Sequence, residues 1–168
     1  IERNTGIETM QDDVFTALQR SAGTDEADVL IAGEEAFLLL GQDGNDDMMA
    51  SAVAGEMHGG AGTDRLFGFT ADDWLVGGAD ADQLHGEGGA DVLAGGIGND
   101  FLTAGADNDH LDGGTGNDYM VTGTGMDRVK FSQGQDVVED FDVTKDVIDF
   151  SSFPGIDSQK DLTITTFE

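Results

Sequence analysis

Residues 23–139 divide into thirteen consecutive nonapeptides with no insertion or deletion. The eighth residue of each unit tests the division: Leu30, Leu39, Met48, Met57, Leu66, Leu75, Leu84, Leu93, Leu102, Leu111, Met120, Val129 and Val138 are aliphatic without exception. One apolar residue in nine, set off by glycine, fits neither a helix of period 3.6 nor an ordinary strand of period 2. A short strand closed by a tight turn, repeated, does fit. Two units per coil bring residues 18 apart into register, one strand spacing of about 4.8 Å along the axis. Two parallel sheets would then face each other across the aliphatic ladder, in a stack roughly 30 Å long.

The most regular stretch is 95–121, which reads GGIGNDFLT, AGADNDHLD, GGTGNDYMV. Each unit opens with a glycine-rich segment ending in Asp (Asp100, Asp109, Asp118) and places its aliphatic residue two positions later. Alternate units belong on opposite edges of the stack, so the sixth positions sort into two columns. The first is Asp28, Asp46, Asp64, Asp82, Asp100, Asp118 and Asp136; the second is Phe37, Gly55, Asp73, Asp91, Asp109, Asp127 and Lys145. One edge carries a carboxylate along its whole length and the other only in its middle.

Composition narrows the partners. Twenty-six glycines with one proline are too many for an ordinary core, so the glycine has a backbone purpose. Thirty-five acidic against seven basic residues give a formal charge of −28, which repels itself in a compact state unless cations are bound. Nucleic acid and anionic lipid are excluded as partners because both need a basic footprint. Without cysteine there is no disulfide, thiolate zinc site or catalytic thiol. No apolar run approaches the roughly 18 residues of a membrane span. The start IERNTGIETM is neither basic nor apolar enough for a signal peptide, and a first residue other than Met points to an excised fragment.

The ends read differently. In residues 1–22, Ile7, Met10, Val14, Phe15 and Leu18 share one helical face, which predicts a helix capping the first coil. Toward the other end Val137, Val138, Phe141, Val147, Ile148, Phe150 and Phe153 supply bulk that the repeats lack. Residues 140–168 are expected to form broader strands that close the open end, with DLTITTFE breaking off mid-strand as in a truncated domain.

These repeats resemble the GGxGxDxUx nonapeptides of the repeats-in-toxin (RTX) proteins, and the tail is similar to the segment that follows the β-roll in serralysin-type peptidases. The resemblance covers 23–139 strongly and implies an all-β fold, a right-handed parallel β-roll with two nonapeptides per coil. It also implies calcium, a known property of that repeat and not something its spacing shows. In the family an ion sits between consecutive loops of one edge. The earlier loop offers its second and fourth carbonyls, the later loop its first and third, and each its Asp. Carried over, one site joins Gly96, Gly98 and Asp100 to Gly113, Thr115 and Asp118. Upstream follow Gly78, Asp80 and Asp82 with Gly95, Ile97 and Asp100; Gly60, Gly62 and Asp64 with Gly77, Ala79 and Asp82; and Gln42, Gly44 and Asp46 with Gly59, Ala61 and Asp64. On the other edge stand Glu87, Gly89 and Asp91 with Ala104, Ala106 and Asp109, then Gly105, Asp107 and Asp109 with Thr122, Thr124 and Asp127, and a weaker site between Asp73 and Asp91. Asp136 joins the ligand set at the end of the first column. The total would be roughly five to eight ions.

The chemistry suits the assignment. Calcium takes 6 to 8 oxygens at about 2.3 to 2.6 Å, whereas magnesium retains water and demands a stricter octahedron. Carbonyls converge on an ion only where the chain adopts φ > 0, which glycine allows and Asp80 and Asp107 tolerate. ASAVAG at 50–55 and AGEEAF at 32–37 lack the Asp, and Val53 resists that conformation, so no ion is expected at the start of the second edge. GTDEAD at 23–28 is a doubtful site, and Asp136, Asp140, Asp142 and Asp146 would either hold a last ion or be solvated loop carboxylates. A solvated acidic face or Asx-turns would also place aspartate in turns. The strict spacing, the coupling to glycine and the unopposed charge favour calcium.

No catalytic constellation accompanies it. His58, His85 and His110 share no ligand spacing and no HExxH occurs, so they read as surface histidines. No carboxylate stands apart for glycoside hydrolysis, and no nucleophile elbow is present. Phe101 and Tyr119 should stack on one outer face, with Trp74 on the opposite sheet, a patch for a sugar or neighbouring domain if it is more than local stacking. Each coil buries only two aliphatic side chains, too little to offset ordering about 18 residues at roughly 1 to 2 kcal/mol each. The resemblance therefore implies a non-enzymatic module of a secreted, extracellular bacterial protein. It would stay unfolded in the calcium-poor cytosol for the type I secretion machinery and fold outside on calcium binding. Two other readings are a substrate-binding accessory module of an extracellular enzyme, such as an alginate epimerase or a peptidase C-terminal domain that contacts polysaccharide, and an adhesin segment.

Overall fold

The structure is a computed structural model that describes residues 8–9, 19–35 and 37–151. Among them the strands are, in chain order, β1 (Glu8–Thr9), β2 (Gln19–Ala22), β3 (Val29–Ile31), β4 (Phe37–Asp43), β5 (Asp47–Met49), β6 (Glu56–Ala61), β7 (Arg65–Phe67) and β8 (Trp74–Ala79). They continue as β9 (Gln83–Gly88), β10 (Val92–Ile97), β11 (Phe101–Ala106), β12 (His110–Thr115), β13 (Tyr119–Thr124), β14 (Arg128–Lys130), β15 (Val137–Glu139) and β16 (Val147–Asp149). Odd strands form one eight-stranded sheet and even strands another, each in sequence order. All pairs are parallel, so the chain crosses from one sheet to the other at every turn and climbs one strand per two units. The predicted all-β parallel roll is what forms.

Register follows the nonapeptide frame. Leu93 lies beside Leu75 and Leu111, and Leu102 beside Leu84 and Met120, each 18 residues away. Because a strand alternates its faces, the eighth residue points inward and its seventh and ninth neighbours outward. Met48, Met57, Leu66, Leu75, Leu84, Leu93, Leu102, Leu111, Met120 and Val129 have no solvent exposure at all. The core is one apolar file between two sheets.

The ends depart from the simple frame. Within 1–22 the described residues are strands: Glu8 and Thr9 pair with Leu30 and Ile31, and Gln19–Ala22 pair with residues 37–40. The helix expected on Ile7, Met10, Val14, Phe15 and Leu18 falls outside the described residues, as does the tail from residue 152, including Phe153. At the other end β16 pairs with β14 at a spacing of 19, Arg128 opposite Val147. One extra residue has entered between 139 and 147, which shifts the frame by one. Phe131, Val138 and Phe141 pack against the last core residues while remaining partly exposed, and Phe131 stacks on Phe150 with centroids 5.8 Å apart.

Candidate metal centre

The turns between strands have a fixed backbone signature. Positive φ recurs at the second and fourth positions of a unit, as at Gly96 (113°) and at the non-glycine residues Gln42 (85°), Asp80 (77°), Glu87 (75°) and Asp107 (81°). Aspartate tolerates this conformation better than most residues. The glycines answer a second constraint as well. A Cβ on Gly96 would collide with the carbonyl oxygen of Gly78, and one on Gly98 with that of Asp80. The second- and fourth-position carbonyls of one coil therefore point along the axis into the turn of the next.

Each column aspartate is held by that turn. The Oδ1 of Asp64 accepts the N–H of Asp46 at 2.8 Å, Asp82 that of Asp64 at 2.8 Å, and Asp100 that of Asp82 at 2.9 Å. In the second column Asp91 accepts from Asp73 at 2.8 Å, Asp109 from Asp91 at 2.8 Å, and Asp127 from Asp109 at 2.9 Å. The other oxygen has nothing. Oδ2 of Asp46, Asp64, Asp73, Asp82, Asp91, Asp100, Asp109, Asp118 and Asp127 is buried without a hydrogen-bond partner. At Asp46, Asp64, Asp73, Asp82, Asp91 and Asp100 it lies beside the first residue of its own unit and the first-position carbonyl of the following coil. A Cβ on Gly95, for instance, would run into Asp100 Oδ2 and stand 2.5 Å from the Gly113 oxygen.

Burial is felt by the carboxyls. Desolvation, partly offset by the backbone N–H and reinforced by neighbouring aspartates, pushes Asp64 and Asp100 up to about 6 and Asp73, Asp82 and Asp109 up to about 7, from 3.8. Asp46, Asp91, Asp118 and Asp127 shift the same way, with desolvation again first among the causes. A dry carboxylate with one unpartnered oxygen is costly unless a cation or proton meets it.

The donor set decides what kind of cation fits. Among the described residues no three His, Cys, Asp or Glu side chains converge on one point, so the donors are column carboxylates supplemented by backbone carbonyls. All are hard oxygens, which suits calcium and not a thiolate- or imidazole-seeking metal. The third-position carbonyls expected as ligands are partly engaged: Ala61, Ala79 and Thr115 accept the N–H of Gly44, Gly62 and Gly98 at 2.8, 3.1 and 2.9 Å. A carbonyl keeps a second lone pair beside such a bond.

Elsewhere the structure refines the reading. At the start of the second column Phe37 is buried at 1% exposure, and its ring lies against Gly55, where a Cβ would strike it. Neither Ser51 nor Val53 adopts positive φ. An apolar plug occupies the first rung. At the column's far end Asp146, not Lys145, takes the sixth position: its Oδ1 accepts the N–H of Asp127 at 3.0 Å. A parallel file escaped the sequence reading. Asn45, Asn99, Asn108 and Asn117 at fifth positions accept the N–H of Thr63, Asn117, Met126 and Gln135 at 2.8 to 2.9 Å, and Asp72 does the same for Ala90. The recurrent Asn-Asp pairs at 99–100, 108–109 and 117–118 are the signal that marks it.

The outer face carries the expected aromatic pair, Phe101 and Tyr119, stacked at 5.4 Å. It is longer than expected, because Phe67 stacks on His85 at 4.9 Å and His85 approaches Phe101 at 6.0 Å. His85 is thus half-buried in a stack, where burial lowers its pKa. His58 pairs with Glu56 on the other sheet, near the exposed Trp74.

The family model described as RTX calcium-binding nonapeptide repeat (4 copies) matches residues 22–52, 56–68, 67–102 and 94–129. It stops before the tail, so it does not carry the tail's likeness to serralysin-type proteins. Comparison with curated proteins finds no match.

Proposed function

Because the chain belongs to the RTX calcium-binding nonapeptide repeat family, a structural calcium-binding module, we propose that it is the calcium-folded part of a secreted bacterial protein. It would be disordered in the calcium-poor cytosol, passed out by type I secretion, and folded outside. The observation that carries this reading is the set of buried Oδ2 atoms without partners along both columns. The carried-over ligand groups supply the rest of the shell, from Gln42, Gly44 and Asp46 at one end to Asp127 and Asp136 at the other. The ions would number roughly five to eight. Residues 23–139 would be the ion-binding roll, with 1–22 and 140–168 as its caps.

The residues act through position and charge. Left-handed second and fourth residues turn their carbonyls along the axis, Oδ1 fixes each aspartate to the coil before it, and Oδ2 is left facing the next. A bound divalent cation would neutralise facing carboxylates and tie two coils together through their carbonyls. Binding restricted to the folded state stabilises it by mass action, so folding and loading are one transition. Far-UV circular dichroism during a calcium titration tests this. Strand signal should be nearly absent in chelator and appear cooperatively at millimolar calcium. A strand signal indifferent to chelator would sink the proposal.

A further inference from the structure

We infer that Asp28 and Asp146 are ion-free terminal rungs, which close the two aspartate columns with protein hydrogen bonds where the inner rungs leave an oxygen open. The inference rests on the calcium reading above and sets its outer boundaries: no ion between Asp28 and Asp46, the interval that Asp28 Oδ2 faces, and none beyond Asp146, where its own Oδ2 is taken.

In sequence Asp28 looks like its column neighbours, and Asp146 stands one residue past the place that counting by nine reaches. Both also take part in the ladder, since Asp28 donates its N–H to Asp46 Oδ1 at 2.8 Å and Asp146 Oδ1 accepts that of Asp127 at 3.0 Å. The difference is at Oδ2. On Asp28 it accepts the backbone N–H of Thr24 and the Thr24 hydroxyl, the latter at 3.0 Å. On Asp146 it accepts the N–H of Asp142 at 2.7 Å. The atom that is partnerless from Asp46 to Asp127 is satisfied by the chain itself at the start of the first column and at the end of the second.

The backbone of each end loop independently agrees. Neither Thr24 nor Glu26, the second and fourth residues of the first unit, adopts positive φ. Their carbonyls are not presented in the way that Gly96 or Asp80 presents its own. Residues 142–146 form a compact turn in which Lys145 and Asp146 donate to the Asp142 carbonyl at 2.9 and 2.8 Å and Thr144 donates to Asp142 Oδ1 at 2.9 Å. The residue inserted before β16 gives this turn its length, and the turn delivers the Asp142 N–H. Lys145 stays beside it, its Nζ 3.0 Å from Asp142 Oδ2, a tethered cation where the ion column stops.

Physical necessity points the same way. A terminal rung lacks an adjoining glycine-rich loop on one side, so an ion there would find half a shell. A neutral N–H donor satisfies the last carboxylate without requiring one. An ion at the Oδ2 of Asp28 or of Asp146 would have to displace these donors first.

The experiment counts calcium bound to the full chain by equilibrium dialysis and atomic absorption, with circular dichroism in saturating calcium confirming the fold. Asp28→Asn and Asp146→Asn should bind as many ions as the unsubstituted chain, while Asp46→Asn and Asp127→Asn should each lose at least one. Loss of an ion from Asp28→Asn or Asp146→Asn overturns the inference and leaves the calcium reading standing. If either variant fails to fold, Asp28→Ser and Asp146→Ser keep a short capping acceptor, and the same count on them decides. An unsubstituted chain that binds no calcium overturns both readings together.

Discussion

Asp100→Asn separates the two tasks of a column aspartate, because asparagine keeps the acceptor oxygen and loses the charge. Asp100 is 2% exposed, its Oδ1 accepts the Asp82 N–H at 2.9 Å, and its Oδ2 has no partner. Burial pushes its pKa from 3.8 to about 6. Holding it ionised at pH 7 in the calcium-free roll costs on the order of 3 kcal/mol, at about 1.4 kcal/mol per pH unit. Asparagine removes that cost and still receives the N–H, so in chelator the variant should be no less folded than the parent. In calcium the sign reverses. Asp100 borders the intervals toward Asp82 and toward Asp118, and uncoupling a buried charge from its partner costs about 3 to 5 kcal/mol. Spread over one transition that takes up roughly five to eight ions, that corresponds to a roughly two- to fivefold rise in the calcium needed for half-folding.

Far-UV circular dichroism reads both arms, as a calcium titration and as strand content in chelator. Urea unfolding at saturating calcium gives the stability loss directly, with an unchanged slope marking an unchanged fold. Equal destabilisation with and without calcium would refute the reasoning, since Asp100 would then matter only as a hydrogen-bond acceptor. So would an unshifted calcium midpoint.

Acid should substitute partly for calcium. Asp64, Asp73, Asp82, Asp100 and Asp109 have folded-state pKa values of about 6 or 7 against 3.8. The calcium-free roll therefore binds protons that the unfolded chain has released, and its stability is greatest at low pH and falls as pH rises through those values. Lowering pH from about 7 to about 5 in chelator should raise strand content and weaken calcium binding, and a flat pH titration by circular dichroism would count against it. Gly114→Ala forces a side chain into φ 94° and against the Gly96 carbonyl, so it should cost about 1 to 3 kcal/mol. Gly88→Ala, whose added carbon would meet only the Phe69 oxygen at 3.7 Å, should leave the melting temperature nearly unchanged. Phe37→Asp completes the second column in sequence but removes a buried ring from a turn lacking left-handed residues at Ser51 and Val53. It should lose about 3 kcal/mol or more of stability and gain no ion; an added equivalent of calcium by dialysis would contradict this.

The coil architecture was legible because a single position carries it. With one aliphatic residue per nine, only one arrangement buries all of them, and Met48 through Val129 are fully enclosed as that demands. Legibility failed where the frame was extended past the last intact unit: counting by nine reaches Lys145, while one inserted residue puts Asp146 on the rung. The fifth-position amide file was missed because alanine, threonine and methionine share its places, so the pattern surfaces only once coils are in register. The full length of the outer aromatic stack was missed because it moves from ninth positions (Phe67, His85) to seventh positions (Phe101, Tyr119), two outward rows that a single-position rule treats separately. Capped and open aspartates cannot be told apart by letter at all, since the distinction lies in where the backbone N–H of a neighbouring turn points.

Magnitudes explain why such a stack calls for cations. Carboxylates one coil apart stand about 4.8 Å from each other, and at an effective dielectric near 20 each adjacent ionised pair repels by about 3.5 kcal/mol. A coil that adds a rung to both columns adds about 7 kcal/mol of repulsion by that measure. Its two enclosed aliphatic side chains, such as Leu93 and Leu102, contribute about 3 to 6 kcal/mol. The apolar file therefore aligns the coils without being able to hold a fully ionised pair of columns together. The Oδ1 ladder does not relieve this, because the hydrogen bond that sets the register also holds each carboxylate directly above the last. A cation placed between rungs converts the same geometry from repulsive to attractive. The inner coils, where both columns are acidic, should thus depend on calcium most, and the first coils, where Phe37 and Gly55 replace aspartate in one column, should depend on it least.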